Sequence, residues 1–163
     1  MKMPSFSPRS KANLDTCHDD MKLVGYSAIN YIDFTVLEGH RNKERQDQAI
    51  KDGTTTKVWP LSEHNVMPSN AMDLAPYYPE VPAGGIDWRT DAALLKAAQA
   101  GNWDEFKAIL ENIKRWYHFG GFIKGIGAGK GIELEWGGDW DSDFRFNDHN
   151  LVDLPHFQRK KKA

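Results

Sequence analysis

The pattern of apolar and polar positions in the first part of the chain predicts a helix, a short strand and a second helix. Apolar residues recur at near-helical intervals over residues 21–32, behind two acidic residues that suit a helix start. The β-branched and apolar run 34–37 predicts a strand that delivers His40 and Arg41 at its carboxyl end. The polar residues 43–51 then predict a second helix, which Gly53 closes.

Two loops and a buried strand are predicted next. Residues 53–61 are rich in Thr and contain a Trp-Pro step, which is typical of an extended loop. Residues 71–75 predict a buried strand that carries one acid and stops at Pro76. Residues 79–88 contain two prolines and two adjacent glycines, which indicate a surface loop.

The following region predicts two helices. The first is capped by Thr90 and reaches Gly101. The second is longer and begins at Asn102, where a glutamate three residues on completes a pattern like a capping box. Its apolar residues share one face, and the glycine pair that starts at Gly120 predicts its end.

Short strands interspersed with helices predict an α+β domain in which helices flank a small, mainly antiparallel sheet. A glycine-rich turn over residues 125–131, whose spacing does not suit a phosphate-binding loop, leads to an alternating strand over 132–136. The length of 163 residues favours one domain, 1–163, with a core from about 10 to 158 and a basic tail from 159 to 163.

Charge and cysteine content narrow the classes of function. A net charge of −2 argues against a general nucleic-acid binder. The single Cys17 cannot form an internal disulfide, so we expect a buried thiol and synthesis in the cytosol. The first residues lack the apolar core of a signal peptide, and no apolar run reaches the roughly 18 residues of a membrane span. We therefore expect no stable membrane insertion.

Two segments contain candidate metal ligands. His64 precedes Asp73, whose ionised carboxylate is costly to bury within an apolar strand unless a cation pairs with it. From this segment alone, an arginine partner or a role in capping a turn explains Asp73 as well as a metal does. Asp153 stands three positions before His156, with Pro155 expected to stiffen a turn between them. Together the two histidines and Asp73 provide three N and O ligands, the number that catalytic zinc uses.

Four motifs, in a fixed order, cover about residues 34–158. They are Glu38-Gly39-His40-Arg41 with Arg45-Gln46, Ser62-x-His64 with Ala71-Met72-Asp73-Leu74-Ala75-Pro76-Tyr77, Glu135-Trp136-Gly137-Gly138-Asp139-Trp140, and Asp153-Leu154-Pro155-His156-Phe157. Each motif alone is common, but the ordered set resembles the zinc D-alanyl-D-alanine carboxypeptidase and dipeptidase family. Within that family it resembles the phage endolysins that are L-alanyl-D-glutamate peptidases.

This resemblance implies a zinc metallopeptidase that hydrolyses the peptidoglycan stem peptide between L-alanine and D-glutamate. It implies Zn²⁺ on His64, Asp73 and His156, in a cleft over the sheet, although manganese or cobalt would suit the same ligands. Zinc-bound water would be the nucleophile, and Asp153 the general acid and base. Arg41 would contact the substrate and stabilise the developing oxyanion.

Further substrate contacts are predicted near these groups. His40 and Gln46 follow from the first motif, and Trp136 and Trp140 from the third, where two tryptophans flank adjacent glycines. A packing role is an equal alternative for His40, and a tight turn anchored in the core is an equal alternative for the tryptophan loop. Gln158 stands where the family often has a glutamate, which leaves a hydrogen bond to the metal site open.

Two other functions remain compatible with these motifs. One is a D,D-carboxypeptidase that trims terminal D-alanine, and the other is a non-catalytic, zinc-stabilised wall-binding or virion protein. The endolysin hypothesis implies a monomer that stays in the host cytoplasm until a holin opens the membrane. It would then act on the cell wall in the periplasm. The remaining histidines are expected to be structural: His18, His118 and His149.

Overall fold

The computed structural model describes residues 4–81, 85–89, 91–146, 148 and 151–160. Within these ranges the chain forms five α-helices, one short 3-10 helix and four β-strands. In chain order they are α1 (Pro8–Asp15), α2 (Asp19–Ala28), β1 (Phe34–Glu38), α3 (Lys43–Lys51), the 3-10 helix (Glu63–Asn65), β2 (Ala71–Pro76), α4 (Asp91–Gln99), α5 (Trp103–Gly129), β3 (Leu134–Gly137) and β4 (Asp153–Arg159).

The four strands form one antiparallel sheet in the order β1-β2-β4-β3. β4, from the end of the chain, is therefore inserted between β2 and β3. In this register Asp73 on β2 lies directly opposite His156 on β4. The α+β class and the small antiparallel sheet predicted from the sequence are confirmed, and the central strand pair carries two of the expected metal ligands.

Helices α2 and α5 contact each other and pack against the sheet. Phe119 of α5 lies between two aromatic rings of the sheet, with its centroid 5.6 Å from Phe34 and 6.1 Å from Phe157. Cys17 is fully buried in the same core, and burial raises the pKa of its thiol to about 12. This position agrees with the expected buried thiol, because the thiolate needed for chemistry is strongly disfavoured there.

Helix α5 does not stop at Gly120, as the sequence suggested, but continues to Gly129. The reason is packing, because a Cβ at Gly120 would collide with the indole of Trp136. A glycine inside a helix costs about 0.5–1 kcal/mol relative to alanine, and here the close approach of β3 explains the glycine. The predicted turn over 125–131 is likewise mostly helix, and Gly131 with φ +71° begins the connection to β3.

Three elements were not predicted: α1, the short 3-10 helix and β4. In the Pro/Ser-rich lead, Ser7 accepts a hydrogen bond from the backbone of Ser10 and Pro8 occupies the first turn of α1, both favourable at a helix start. Around Pro155 the expected turn is wrong, because the chain is extended in β4. The register between β3 and β4 shifts at this point, and an irregularity tolerates a residue without an N–H donor.

The predicted basic tail begins later than expected, and two residues named in the sequence analysis lie outside the described ranges. Arg159, assigned to the basic tail, is the last residue of β4, and its guanidinium donates to Asp20 at 2.8 Å. Thr90 and His149 lie outside the described residues. None of the described helices combines the length and the hydrophobicity that crossing a bilayer requires.

Candidate active site

Three side chains from distant parts of the chain meet at one end of the sheet. Nε2 of His64 lies 3.2 Å from Oδ1 of Asp73 and 3.2 Å from Nδ1 of His156. The remaining distance, from Nδ1 of His156 to Oδ1 of Asp73, is 3.1 Å. The sheet register positions the last two residues, and the 3-10 helix positions the first. The structure thus brings together the three predicted metal ligands.

The backbone holds the outward nitrogen of His64, which is the ring nitrogen that points away from Asp73 and His156. Nδ1 lies 2.7 Å from the carbonyl oxygen of Gly39, and this oxygen can only accept, so Nδ1 carries the proton and Nε2 faces the other ligands. Gly39 is required for this approach, because a Cβ there would collide with the backbone of Asn13 and with the side chain of Thr16. The side chain of Ser62 accepts from the backbone of His64 and fixes the 3-10 helix.

The outward nitrogen of His156 is held by a side chain. Nε2 of His156 lies 3.0 Å from Oε1 of Gln158, whose amide nitrogen donates to Glu135 at 2.5 Å. The bond to Glu135 fixes the amide so that its oxygen faces the imidazole. His156 therefore presents Nδ1 to the other ligands. The hydrogen bond left open by the Gln at position 158 is made, and glutamine suits this position because a carboxylate already stands on its other side.

The residues fit a divalent metal. With both outward nitrogens protonated, the three inward atoms are all acceptors, and acceptors at 3.1–3.2 Å repel each other unless a cation lies between them. Ligands placed tetrahedrally about 2.0–2.1 Å from zinc are separated by about 3.3–3.4 Å. The observed triangle is close to that size, and the donor set of two imidazoles and one carboxylate is one that zinc uses.

The electrostatics of the three groups are strongly coupled. In the metal-free protein the imidazoles can carry a second proton on their inward nitrogens. Burial then disfavours the charged form of Asp73, but the charge of His64 and the hydrogen bonds from both imidazoles outweigh it and hold the pKa of Asp73 well below its usual range. Burial likewise disfavours the charged form of His156, yet its contact with Asp73 raises the pKa of this imidazole. The carboxylate thus remains ionised and attracts a cation to this point.

Asp153 and Arg41 lie beside the three ligands in a cleft of about 600 Å³. Burial, together with the nearby charge of Asp73, raises the pKa of Asp153. Nε of Arg41 donates to Glu38 at 2.7 Å, and its Nη2 also contacts Glu38 and lies 3.8 Å from Asp73. Asp153, which can exchange protons, and Arg41, which is a fixed cation, thus face the same cleft.

The rest of the cleft is lined by a threonine-rich loop and by residues that precede β4. The loop contributes Thr54, Thr55, Thr56 and Lys57, and Trp140 and Leu151 form part of the opposite wall. The indole nitrogen of Trp140 donates to the carbonyl of Leu151 at 2.8 Å, and its ring lies 5.4 Å from the ring of His156. The structure places Trp140 where a substrate can reach it.

The other predicted substrate contacts are placed differently. Trp136 is only 2% exposed and is stacked on Phe157 in the core, so it is a packing residue and not a wall of the cleft. Gln46 is fully buried, and its amide oxygen accepts from Arg41 at 3.3 Å, so it supports the arginine without reaching solvent. His40 is half-buried and outside the cleft lining, where its backbone N–H donates to Thr16.

Sequence reasoning missed Glu38 and Lys57. Glu38 is buried and contacts both Arg41 and Arg45, the latter at 2.6 Å, so it holds the cationic side of the cleft. A charged residue at the end of an apolar strand was the available signal for Glu38. Lys57 lies in a segment that predicts only a loop, and no pattern in it indicated a place in the cleft.

Comparison with known proteins agrees with this geometry. The phage L-alanyl-D-glutamate peptidase family matches residues 2–159, a range that includes every residue of the cleft described above. The chain belongs to this family. The peptidase is also similar to the crystal structure of the Serratia marcescens L-Ala D-Glu endopeptidase ChiX, with a TM-score of 0.56 and 26% identity over 95% of this chain and 89% of that chain. Among curated proteins no sequence match was found.

Family membership decides between the functions that the motifs left open. The protein is a peptidoglycan endopeptidase of the L-alanyl-D-glutamate type, so it is an enzyme and not a non-catalytic wall-binding or virion protein. The D,D-carboxypeptidase hypothesis, which expected removal of terminal D-alanine, is not supported by this family match.

Proposed function

We propose that this peptidase is a zinc-dependent endolysin that cleaves the L-alanyl-D-glutamate bond of the stem peptide during lysis of the host. The observation that carries the proposal is the triangle of inward-facing acceptors on His64, Asp73 and His156, at the base of a cleft that also contains Asp153 and Arg41. Two histidines and one carboxylate leave a fourth position open, as catalytic zinc sites do.

The residues of the chain have distinct roles in this hydrolysis. Zinc, when bound, supplies the Lewis acidity that makes water a nucleophile near neutral pH. Asp153 accepts the proton of the attacking water and passes it to the departing amine, and its raised pKa suits a group that must both accept and release a proton. Arg41, held by Glu38, stabilises the charge that develops on the carbonyl oxygen.

The biological setting is part of the same proposal. The protein acts as a monomer, remains in the host cytoplasm until lysis, and reaches the periplasmic wall through a membrane opening made by a holin. Loss of turbidity of permeabilised Gram-negative cells, with and without chelator, tests the lytic role. Lysis that persists after the metal has been removed completely would contradict the zinc proposal.

Replacing the carboxylate of Asp153 tests the mechanism. Asp153→Asn keeps the size of the side chain but removes the proton acceptor, and we expect hydrolysis of purified peptidoglycan to fall by about 10²–10⁴-fold. Zinc content and thermal unfolding should stay at wild-type values. The matched control is Asp104→Asn, which removes an exposed carboxylate in the first turn of α5. Wild-type turnover by Asp153→Asn would show that another group is the general base.

A further inference from the structure

We call the cleft that contains His64, Asp73 and His156 the metal cleft, and a second cavity, of about 500 Å³, adjoins it. We call this second cavity the aromatic groove and define it by six of its lining residues: Trp88, Trp116, Tyr117, Val152, Leu154 and Pro155. Asp153 lines both this groove and the metal cleft, so the two spaces share the wall that carries the general base. A substrate whose scissile bond lies beside Asp153 therefore has part of its length next to the aromatic groove.

The groove is built on fixed elements and exposes apolar surface. Trp88 is 56% exposed, and its ring lies 5.2 Å from the ring of Trp116 on α5. The segment that carries Trp88 is attached to α5, because the indole nitrogen of Trp116 donates to the carbonyl of Asp87 at 3.3 Å. Val152 beside it is 46% exposed. Exposed apolar groups that adjoin a catalytic cleft are typical of a ligand-binding surface.

The charges of the two spaces differ. In the described part of the groove the one cation is Arg89, which contacts Asp87 at 2.7 Å and Glu105 at 2.9 Å. Asp91 and Asp153 add two carboxylates to the lining, so the groove disfavours an anionic group. The metal cleft, in contrast, contains the exposed Lys57 beside the threonine hydroxyls, in addition to Arg41, which is paired with Glu38. The cleft therefore suits an anionic part of the substrate, and the groove suits a neutral part with an apolar face.

The chemistry of the stem peptide has the same asymmetry. On the amine side of the scissile bond, D-glutamate carries a free α-carboxylate next to the scissile nitrogen. On the carbonyl side, L-alanine is joined through a lactyl group to an N-acetylated sugar, which is neutral. Alanine and the lactyl group together span about 7 Å, so the sugar lies one short step from the scissile bond.

We propose that the aromatic groove is the carbonyl-side subsite of the peptidase and that it binds the muramyl sugar to which the stem peptide is attached. The inference rests on the proposed function, since it takes the L-alanyl-D-glutamate bond to lie beside Asp153. The apolar C–H face of a pyranose stacks on the exposed ring of Trp88, while the carboxylate of D-glutamate lies toward Lys57. An aromatic face carries partial negative charge and attracts such C–H groups.

Two substrates that differ only in the sugar test this subsite. One is N-acetylmuramyl-L-Ala-D-Glu-diaminopimelate, and the other is the same peptide with an N-lactyl group and no sugar. We expect the wild-type kcat/KM for the muramyl peptide to be about tenfold higher. Trp88→Ala should reduce this ratio to about 1, and Trp88→Tyr should retain most of it. Tyr31→Ala is the control, since it removes an exposed aromatic ring, 74% exposed, that lines neither the metal cleft nor the aromatic groove, and should leave both rates unchanged.

The outcomes separate the two proposals. Equal wild-type rates on both substrates would overturn the sugar subsite and leave the proposed function intact. A preference that survives in Trp88→Ala would overturn the assignment to the aromatic groove. Failure to cleave either substrate, with zinc bound, would overturn the proposed function and the subsite with it. Thermal unfolding of each variant checks that the fold is retained. We expect little change for Trp88→Ala, because Trp88 is mostly exposed and its truncation removes little of the core.

Discussion

Gln158 decides which nitrogen of His156 is free for a metal. Its amide oxygen accepts from Nε2, and Glu135 prevents the amide from turning over. Gln158→Ala frees the imidazole to rotate or to change tautomer, so we expect zinc affinity to fall by about 10–100-fold. A competition titration against a zinc chelator measures this loss. Gln48→Ala, which removes an exposed glutamine bonded only locally on α3, should retain wild-type affinity. Equal affinity in the two variants would show that Gln158 does not orient the ligand.

The sequence was informative about the types of the candidate ligands and uninformative about the residues that hold them in place. An acid within an apolar strand and a histidine three positions after another acid were visible as anomalies, and the family resemblance supplied their roles. The role of the Gly39 carbonyl had no signal in the sequence, and the charge of Glu38 at the end of an apolar strand did not reveal its partner, because both roles depend on contacts across the fold. Trp136 was misplaced for the same reason, since a motif does not reveal which side of a strand faces the core.

A single packing contact, between Gly120 and the indole of Trp136, explains why α5 contains a glycine where the sequence predicted its end. Gly120 contacts the indole of Trp136, whereas a Cβ at the adjacent Gly121 would meet no atom within 4 Å. Gly120→Ala should therefore destabilise the protein by about 1–3 kcal/mol, the usual cost of overpacking a core. Gly121→Ala should instead stabilise it by up to about 1 kcal/mol, because alanine is the better helix former. Urea unfolding of both metal-loaded variants measures the difference, and equal effects would contradict the packing explanation.

The elements that were predicted correctly are those with a strong local pattern. β1, β2 and α3 have the expected bounds within one residue, because hydrophobic runs and helix caps specify them locally. The end of α5 was wrong because a glycine pair is a local stop signal that tertiary packing overrides. β4 was missed because its first residues, with an acid and a proline, do not alternate, and the strand is defined by its neighbours β2 and β3.

The candidate metal site joins parts of the chain that are far apart in sequence. His64 and His156 are separated by 92 positions, and β4, which carries His156, lies between β2 and β3 in the sheet. A ligand that binds only the folded state stabilises it by about 4 kcal/mol at a concentration of 1,000 times its Kd. Zinc should therefore contribute a large share of the stability of this small domain.

This coupling predicts opposite pH dependences with and without zinc. In chelator-treated protein, the raised pKa of His156 means that its contribution to stability is complete below its ordinary pKa of 6.5 and is lost as pH rises through the folded value. Asp73, whose pKa is lowered from 3.8, remains ionised throughout this range and adds no slope. Metal-free stability should thus decline above pH 6.5. With zinc, protons compete for His156, so the stabilisation by metal should increase over the same interval.

Urea unfolding from pH 6 to just below 9.0, the ordinary pKa of the Cys17 thiol, measures both slopes without interference from that buried group. Replacing the imidazole in His156→Gln should flatten the metal-free slope and abolish the gain from zinc, which ties both effects to one side chain. Parallel slopes in the presence and absence of zinc would show that proton and metal do not share this site. A metal-free protein whose stability rises above pH 6.5 would show that His156 is not held protonated by Asp73 in the fold.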